Sequence, residues 1–308
     1  MSMLKYIRLI RQKPSVASRG LRALILARYF NRRMLKGAEL AVTYRCQGSC
    51  RRCSCMHLLQ EHRKEMSGGD IYLLSKQITD AGGILINLTG GEPLLRQDLL
   101  SIVSRISRLP ALISLTTNGL LLTDSLLGDF KKSGLNILQI SLSSPLEHEH
   151  DRQIGVEGSY KRVLSAIKEA RRLGIEVLIN TVITRDILYS DRMDKMVSLA
   201  AGNDCFLSLV FPARVGGWQD EDVNLKSQDY KNIQKWLKLK FVTSDTESCF
   251  VKGRCPAGNE KIYISAYGDV LHCPFIHNKY GNVLEEGLLE VWNGLELATR
   301  EGCMNIAP

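Results

Sequence analysis

The chain has 308 residues, a formal net charge of +9, and a hydrophobic fraction of 44%. This length suits one large domain and one small domain, and no apolar run approaches the roughly 20 residues of a transmembrane helix. Nine cysteines without a secretory signal predict a reducing, cytoplasmic location and exclude a disulfide-rich secreted fold.

The positive charge is concentrated at the amino terminus. Residues 1–36 contain ten Lys or Arg and no Asp or Glu, which leaves 31 basic and 32 acidic residues elsewhere, so no nucleic-acid partner is predicted. Apolar residues interspersed with these cations suit an amphipathic helix on an anionic membrane surface, divided at Pro14. A helix packed on the protein with solvated charges, or an organelle transit peptide, is the alternative.

Three cysteines follow the first apolar strand, which is predicted near 39–45. Cys46, Cys50 and Cys53 have the spacing Cys-x3-Cys-x2-Cys. Three thiolates hold three irons of a [4Fe–4S] cube and leave the fourth iron open to a ligand, whereas most such clusters take four cysteines. On spacing alone, a zinc knuckle or a chance grouping fits as well.

A second apolar strand, near 84–89, runs into the turn Gly90-Gly91-Glu92-Pro93. The two glycines let the backbone approach a ligand without an intervening Cβ atom. Glu92 supplies a carboxylate at the end of a strand, where α/β barrels carry their functional residues. This turn after a three-cysteine loop favours the iron–sulfur interpretation over zinc.

The region from 38 to 212 alternates apolar strands with helical patterns. Helices are predicted near 67–81, 96–108, 123–133, 159–173 and 190–201, and further strands near 111–116, 136–142, 175–183 and 205–211. Ser67 and Thr123 are N-cap signals, and Gly134 and Gly174 are stop signals. Six right-handed βα units cannot close an eight-stranded barrel, so the sequence predicts a partial α/β barrel.

The three-cysteine loop and the Gly-Gly-Glu-Pro turn together resemble the radical S-adenosylmethionine (SAM) superfamily. The resemblance implies a partial (β/α)6 barrel in which the three cysteines bind the catalytic [4Fe–4S] cluster and the turn binds the amino group of SAM. The other SAM contacts that it implies are Asn118, Ser141, Ser143, Arg152 and Asn180. Arg52 replaces the aromatic residue usual before the third cysteine, and its guanidinium plane either stacks on adenine or faces solvent.

The C-terminal region carries a second group of cysteines. Cys249, Cys255, Cys273 and Cys303 match in number the ligands of a closed [4Fe–4S] site. Spacing alone favours a four-cysteine zinc site, and the radical SAM resemblance upstream reverses that preference. A hairpin that turns at Gly268-Asp269 and a short helix ending near 293 are predicted here. Cys255, Gly268 and Cys273 resemble the start of the SPASM domain, an auxiliary-cluster extension of radical SAM enzymes, in the shortened form called twitch.

Four segments are therefore predicted. They are a basic amphipathic segment at 1–36, a radical SAM partial barrel at 37–215, a linker and helix at 216–244, and a small auxiliary iron–sulfur domain of hairpin and helix at 245–308. Two cysteines remain outside both groups. Cys205 opens a strand and Cys55 follows the cysteine loop, and either is a buried small hydrophobe or a hydrogen-atom donor.

The resemblance implies an enzyme that reductively cleaves SAM to a 5′-deoxyadenosyl radical, which abstracts a hydrogen atom from a substrate. An external reductant of the flavodoxin or ferredoxin type supplies the electron, and one auxiliary cluster supports a net oxidation. A non-oxidative epimerase or adenosyltransferase is the alternative, and a non-catalytic iron–sulfur or zinc scaffold is an alternative of another class. The sequence does not select a peptide, sugar-derived or lipid substrate. A cytoplasmic protein, peripheral to the inner face of the membrane, is expected.

Overall fold

The computed structural model describes residues 13–30, 32–220, 223, 225–246 and 255–295. Its centre is one nine-stranded sheet in the order β7-β6-β5-β4-β3-β2-β1-β8-β9, parallel throughout except for the antiparallel β8–β9 pair. The strands are β1 Gly37–Thr43, β2 Leu85–Gly90, β3 Leu112–Thr117, β4 Ile137–Ser141, β5 Glu176–Val182, β6 Phe206–Val210, β7 Val242–Ser244, β8 Lys261–Ile264 and β9 Val270–Leu271.

Helices connect successive strands, as parallel βαβ units require. They are α1 Pro14–Tyr29, α2 Gly68–Asp80, α3 Leu99–Ile106, α4 Asp124–Lys132, α5 Glu147–Ile154, α6 Ser159–Arg172, α7 Arg185–Leu188, α8 Arg192–Gly202, α9 Ser227–Leu237 and α10 Leu288–Gly294. The six strands and five helices predicted for the barrel are all confirmed. None of the helices in the described ranges is long and apolar enough to cross a bilayer.

Local signals set where the helices begin. Ser67 Oγ accepts from the Asp70 N–H at 3.1 Å while the Asp70 carboxylate accepts from the Ser67 N–H at 2.8 Å, so α2 starts with a capping box. Thr123 Oγ1 accepts from the Leu126 N–H at 3.2 Å at the start of α4. These bonds satisfy helix N–H groups that otherwise lack partners. Both predicted N-caps are confirmed.

Strand residues alternate between two environments. Ile86, Ile113 and Leu207 are fully buried against the surrounding helices. Burial of side chains of this size stabilises the fold by about 1.5–3 kcal/mol each, and truncation of Ile113 to alanine would cost about 2–5 kcal/mol. The intervening residues, such as Asn87 and Gln139, face the inside of the curved sheet and are polar. The hydrophobic core thus lies between sheet and helices.

The C-terminal residues extend the same sheet. β8 pairs in parallel with β1, with Lys261 opposite Gly37, and β9 returns antiparallel through the predicted turn at Gly268, whose φ is +85°. β7 extends the other edge by pairing with β6. Pairing of β8 with β1 brings residues 255–273 to the wall of the barrel interior. The sheet therefore continues beyond the six predicted strands at both edges.

Candidate functional site

The cysteine loop begins directly after β1, at the carboxyl end of the sheet. Cys46 is exposed, and Cys50 and Cys53 are half-buried. Gly48 lies between the first two, and a Cβ atom there would come within 3.5 Å of Cys46 Sγ and 3.6 Å of Cys50 Sγ. The Gly48 N–H lies 3.3 Å from Cys46 Sγ. Two sulfur atoms therefore border one small space that a side chain at residue 48 would enter.

Cys53 has a sulfur neighbour outside the three-cysteine spacing. Cys55 Sγ lies 3.8 Å from Cys53 Sγ and 3.4 Å from the carbonyl oxygen of Gly90. The hydrogen bond with Cys55 lowers the pKa of Cys53 below its usual value. Burial and the neighbouring thiolates raise the pKa of Cys50 to about 11, and burial also raises that of Cys46. Cys53 is therefore the most readily ionised of the three.

The Gly90-Gly91 turn packs directly on the backbone that enters the cysteine loop. Gly91 donates its N–H to the Thr43 carbonyl oxygen at 2.8 Å. A Cβ atom on Gly90 would lie 2.0 Å from that oxygen, and one on Gly91 would lie 2.5 Å from the carbonyl oxygen of Tyr44. Gly90 also has a φ of +140°. Both glycines are thus required by the contact between the two loops, a reason that the sequence motif alone does not reveal.

Glu92 lies behind this turn and is fully buried. Its carboxylate accepts hydrogen bonds from Thr117 Oγ1 at 2.8 Å, the Asn118 N–H at 2.9 Å and the Leu94 N–H at 3.1 Å. Burial raises the pKa of Glu92, and these hydrogen bonds oppose that shift. The side-chain amide nitrogen of Asn118 in turn lies 3.8 Å from Cys46 Sγ. Glu92 therefore joins the ends of β2 and β3 and supports the cysteine loop indirectly.

A cavity of about 1240 Å³ occupies the inside of the sheet and reaches the cysteine loop. Most residues that the sequence assigns to cofactors line it. They are Cys50, Cys53, Gly90, Gly91, Ser141, Ser143, Arg152, Asn180, Cys255 and Cys273. Cys46, Glu92, Pro93 and Asn118 belong to the described residues but do not line the cavity. The structure therefore places two cysteines of each group and six of the nine predicted SAM contacts around one cavity.

Neutral polar side chains form the wall of the cavity across β2 to β5. Gln139 is central: its amide nitrogen lies 3.2 Å from Asn87 Oδ1 and 3.0 Å from Ser114 Oγ, and its amide oxygen accepts from Asn180 at 3.1 Å. Thr116 Oγ1 donates to Asn87 at 3.1 Å. Strands β2 to β5 thus present connected hydrogen-bonding side chains to the cavity, and this wall is polar but carries no formal charge.

The opposite wall carries charge and the C-terminal cysteines. Lys261 donates to Glu39 at 2.9 Å, and burial raises the pKa of the nearby Asp245 to about 7. Cys273 accepts from the Phe275 N–H at 3.4 Å, and burial raises its pKa to about 11. The two remaining predicted auxiliary ligands, Cys249 and Cys303, lie outside the described residues. Two of the four auxiliary cysteines thus face the same cavity as the cysteine loop.

A short segment after β6, at the start of the linker predicted for 216–244, packs on the cysteine loop. The Gly217 N–H donates to the Cys53 carbonyl oxygen at 2.8 Å. Cβ atoms on Gly216 and Gly217 would each lie 2.3 Å from a carbonyl oxygen of the cysteine loop. The Arg52 guanidinium lies 4.7 Å from the centroid of the Trp218 ring. The adjacent glycines were the only sequence signal for this contact.

The carboxyl end of β4 is held by a histidine that sequence reasoning did not single out. His150 on α5 is fully buried and accepts from the Ser143 N–H at 3.1 Å through Nδ1. Its Nε2 atom has no hydrogen-bond partner among the described residues. Arg152, two residues later on the same helix, lines the cavity. Helix α5 therefore both supplies Arg152 and anchors the strand end that carries Ser143.

Cys205 lies away from the site. It precedes β6 at the amino end of the sheet, whereas the cysteine loop follows the carboxyl end of β1. The Cys205 thiol is buried and donates to the Asn203 carbonyl oxygen at 3.3 Å. It does not line the described cavity, so its position does not support the hydrogen-atom donor role considered for it. Cys55 is the other spare cysteine, and it does line the cavity.

These features define a class of protein: a partial α/β barrel with a three-cysteine site at the carboxyl end of its strands. Comparison with family profiles identifies the family. The Radical SAM superfamily profile matches residues 40–196, about half of the chain, and the SPASM profile, an iron–sulfur cluster-binding domain, matches residues 255–303. The chain belongs to the radical SAM superfamily. Its cofactors are accordingly a [4Fe–4S] cluster and SAM, with an auxiliary iron–sulfur cluster in a short SPASM domain.

Similar proteins have several different activities. The AdoMet-dependent heme synthase of Nitratidesulfovibrio vulgaris is 25% identical over 83% of this chain and 78% of its own length. The GTP 3′,8-cyclase of Campylobacter jejuni is 31% identical over 65% of each chain. The PqqA peptide cyclase of Rhizobium meliloti is 26% identical over 83% of this chain and 72% of its own. The activities named for these three relatives do not indicate one substrate class.

Solved structures show the same fold. SuiB of Streptococcus suis bound to S-adenosylmethionine has a TM-score of 0.70 and 19% identity, covering 89% of this chain and 68% of SuiB. The anSMEcpe structure with bound AdoMet has a TM-score of 0.62 and 17% identity, covering 83% of this chain and 79% of that chain. At these identities the likeness concerns the fold.

Proposed function

We propose that this protein reductively cleaves SAM and uses the resulting radical to abstract a hydrogen atom from a substrate. The bound [4Fe–4S] cluster would supply the electron that breaks the sulfonium C–S bond, giving methionine and a 5′-deoxyadenosyl radical. The observation that carries this proposal is the shared cavity, which the cysteine loop, the Gly90-Gly91 turn and the predicted SAM contacts Ser141, Ser143, Arg152 and Asn180 border.

The chain's own residues have distinct roles in this proposal. Cys46, Cys50 and Cys53 would each hold one iron, and the missing side chain at Gly48 leaves room beside two of them. Arg152 would bind the SAM carboxylate, because a guanidinium forms two parallel hydrogen bonds with a carboxylate. Glu92 is buried, so we assign it a positioning role behind the turn rather than direct contact with the SAM amino group.

We further propose that Cys255 and Cys273, together with Cys249 and Cys303, hold the auxiliary cluster. After loss of a hydrogen atom, the substrate would give one electron to this cluster and one proton to a base, for a net two-electron oxidation. Asp245 lines the cavity and its pKa of about 7 suits proton acceptance near neutral pH. In the alternative, epimerisation, the donor would be a cavity cysteine such as Cys55, and adenosyl transfer needs no donor.

The polar groups of β2 to β5 and the ion pair facing them favour a polar substrate over a lipid chain. Asn87, Gln139 and Asn180 line one wall, and the Lys261–Glu39 ion pair lies on the other. An apolar chain there would desolvate these groups without replacing their contacts with water. A peptide or a sugar-derived compound supplies matching hydrogen bonds. The resemblance to a PqqA peptide cyclase favours a peptide.

We also propose a cytoplasmic protein that receives electrons from an external flavodoxin- or ferredoxin-type reductant and works at the inner face of a membrane. The observation that favours the membrane is the outward side of α1, which exposes apolar residues beside arginines. Exposed Arg51 of the cysteine loop offers a cation to an acidic reductant.

Anaerobic reconstitution with iron and sulfide, followed by reduction in the presence of SAM, tests the proposed function. We expect formation of 5′-deoxyadenosine and methionine by the wild type and none by a variant with alanine at Cys46, Cys50 and Cys53. Cys205→Ala is the matched control, because this cysteine lies at the other end of the sheet. A reconstituted protein that binds iron but leaves SAM intact would support the non-catalytic scaffold instead.

A further inference from the structure

Helix α1 has one side that belongs to the folded core. Val16, Ala23 and Ala27 are buried, and a Cβ atom on Gly20 would lie 3.3 Å from the side chain of Ile84. These four positions fall on one side of a helix. The helix is therefore packed on the barrel, as one of the two sequence-based alternatives predicted.

The other side of α1 is apolar too, and it is exposed. Leu21, Ile25 and Tyr29 are 58%, 41% and 77% exposed, and their spacing of four places them in one row along the helix. Exposed Arg22 and Arg28 flank this row. We call these five residues the outer face of α1. Large apolar side chains clustered in this way mark an interaction surface.

Three other cations of the amino-terminal segment are used inside the protein. Lys13 donates to the carbonyl oxygens of Ser107, Leu109 and Ala111 at 2.7, 2.7 and 2.6 Å. The Arg33 guanidinium lies 3.9 Å from the Trp292 ring centroid, and Arg19 donates to the Thr79 carbonyl oxygen. The division is clear: some cations fix α1 to the barrel, whereas Arg22 and Arg28 remain at the surface.

Resting on the membrane association proposed above, we infer that the outer face of α1 docks on the surface of an anionic lipid bilayer. Its apolar row would enter the interface between headgroups and acyl chains, and the flanking arginines would meet lipid phosphates. Residues 1–36 contain no carboxylate to oppose this attraction. A protein partner of matching charge would need an acidic rim around an apolar groove, whereas an anionic membrane supplies both features at any point of its surface.

The position of α1 also sets the orientation of the docked protein. Val16 packs with Leu112, Ile84 and Ile137, which lie at the amino ends of β2, β3 and β4. The cysteine loop lies at the carboxyl ends of the strands. A bilayer bound to α1 would therefore leave the cysteine loop facing the aqueous phase, where the reductant and a polar substrate are available.

Co-sedimentation of the full-length holoprotein with vesicles tests the docking. Binding is expected with phosphatidylcholine vesicles containing phosphatidylglycerol, and high salt should release it. Replacing Leu21, Ile25 and Tyr29 by serine, or Arg22 and Arg28 by glutamate, should weaken binding at least about tenfold. The matched controls change residues outside α1. Leu73→Ser removes an apolar side chain that is 58% exposed, and the double change Arg162→Glu and Lys168→Glu reverses two exposed charges. They should bind as the wild type does.

Tryptophan quenching tests the orientation. A Tyr29→Trp variant should be quenched by lipids brominated on their acyl chains more strongly than the wild type, whose tryptophans, Trp218, Trp236 and Trp292, all lie outside α1. Equal binding to neutral and anionic vesicles, or binding that survives both sets of α1 changes, would overturn the proposal. A change of oligomeric state in the serine variant would overturn it too, since the face would then join copies of the chain. If the triple variant misfolds, Tyr29→Ser alone decides.

Discussion

The backbone N–H of Gly217 donates to the carbonyl oxygen of Cys53 at 2.8 Å. This bond connects the segment after β6 to the third cysteine of the loop after β1, two parts of the chain that are distant in sequence. Trp218 adds a face against which the Arg52 guanidinium lies, at 4.7 Å. An arginine thus stands where the family resemblance implies an aromatic residue, and an aromatic ring from another loop lies beside it. The geometry of the cysteine loop therefore depends on residues outside the three-cysteine motif.

Gly217→Ala should disturb the first cluster selectively. A Cβ atom there would lie 2.3 Å from the carbonyl oxygen of Arg51, a contact with backbone that cannot rotate away. The loop must shift, so we expect loss of SAM cleavage and about half of the roughly eight irons that two cubes hold. Iron and sulfide analysis after anaerobic reconstitution measures this effect.

The matched control is Gly128→Ala, since a Cβ atom on Gly128 would have nothing within 4 Å. This variant on α4 should keep full iron content and activity, because alanine suits a helix better than glycine does. Equal losses in the two variants would mean a general effect of the substitutions on folding. Normal iron content in Gly217→Ala would show that the loop tolerates the shift.

Glu92→Gln should destabilise the protein as well as weaken SAM binding. The fully buried carboxylate accepts three hydrogen bonds. In glutamine an NH2 group replaces one carboxylate oxygen, and this group would face at least one N–H or O–H donor instead of an acceptor. An unsatisfied buried contact of this kind costs about 1–3 kcal/mol in the free energy of unfolding. Thermal unfolding and SAM titration measure the two effects. Weaker SAM binding at unchanged stability would instead indicate that Glu92 contacts SAM directly.

His150 should make stability depend on pH. Burial lowers its pKa to about 4, from 6.5 in an unfolded chain. Between these values the unfolded chain takes up a proton that the folded protein does not, so the free energy of unfolding should fall as pH drops from 6.5 towards 4. The two pKa values set this loss at about 3 kcal/mol at most.

Chemical unfolding of His150→Phe across that pH range checks the assignment. The variant should lose part of the pH dependence, although it should be less stable near neutral pH, since the Ser143 N–H loses its acceptor. His148→Gln is the control, because this neighbouring side chain is 69% exposed. An unchanged pH profile in His150→Phe would assign the dependence to other groups.

The sequence predicted the parts of the fold that local signals encode. Strand periodicity gave the six barrel strands, and Ser67 and Thr123 marked helix starts because their side chains bond to N–H groups three residues away. β7 was missed, since three residues from Val242 to Ser244 are too few to show alternation. The pairing of β8 with β1 was missed because it joins residues 261–264 to residues 37–40, which are far apart in the sequence.

The candidate site also has parts that local sequence signals predicted and parts that they did not. The cysteines and the Gly90-Gly91 turn are continuous motifs, so their positions could be read directly. The partners of Glu92 could not, because Thr117 and Asn118 come from the next strand. Cys205 comes just before β6, at the amino end of the sheet, so its position does not support the hydrogen-atom donor role considered for it. The contacts that the sequence did not predict join distant segments.

Cys273→Ala tests the assignment of the auxiliary cluster. Cys273 is buried, lines the cavity and shares it with the first cysteine group, so its loss should remove the second cluster alone. We expect iron to fall by about half, cleavage of SAM to continue, and oxidation of the substrate to stop. Cys205 is a buried cysteine outside both groups, so Cys205→Ala should change none of these three properties.

If the wild type holds zinc rather than iron at this site, electron transfer through residues 255–303 is excluded while the first cluster is unaffected. If Cys273→Ala keeps all its iron, the cluster has other ligands, and the electron-accepting role proposed for this wall of the cavity fails.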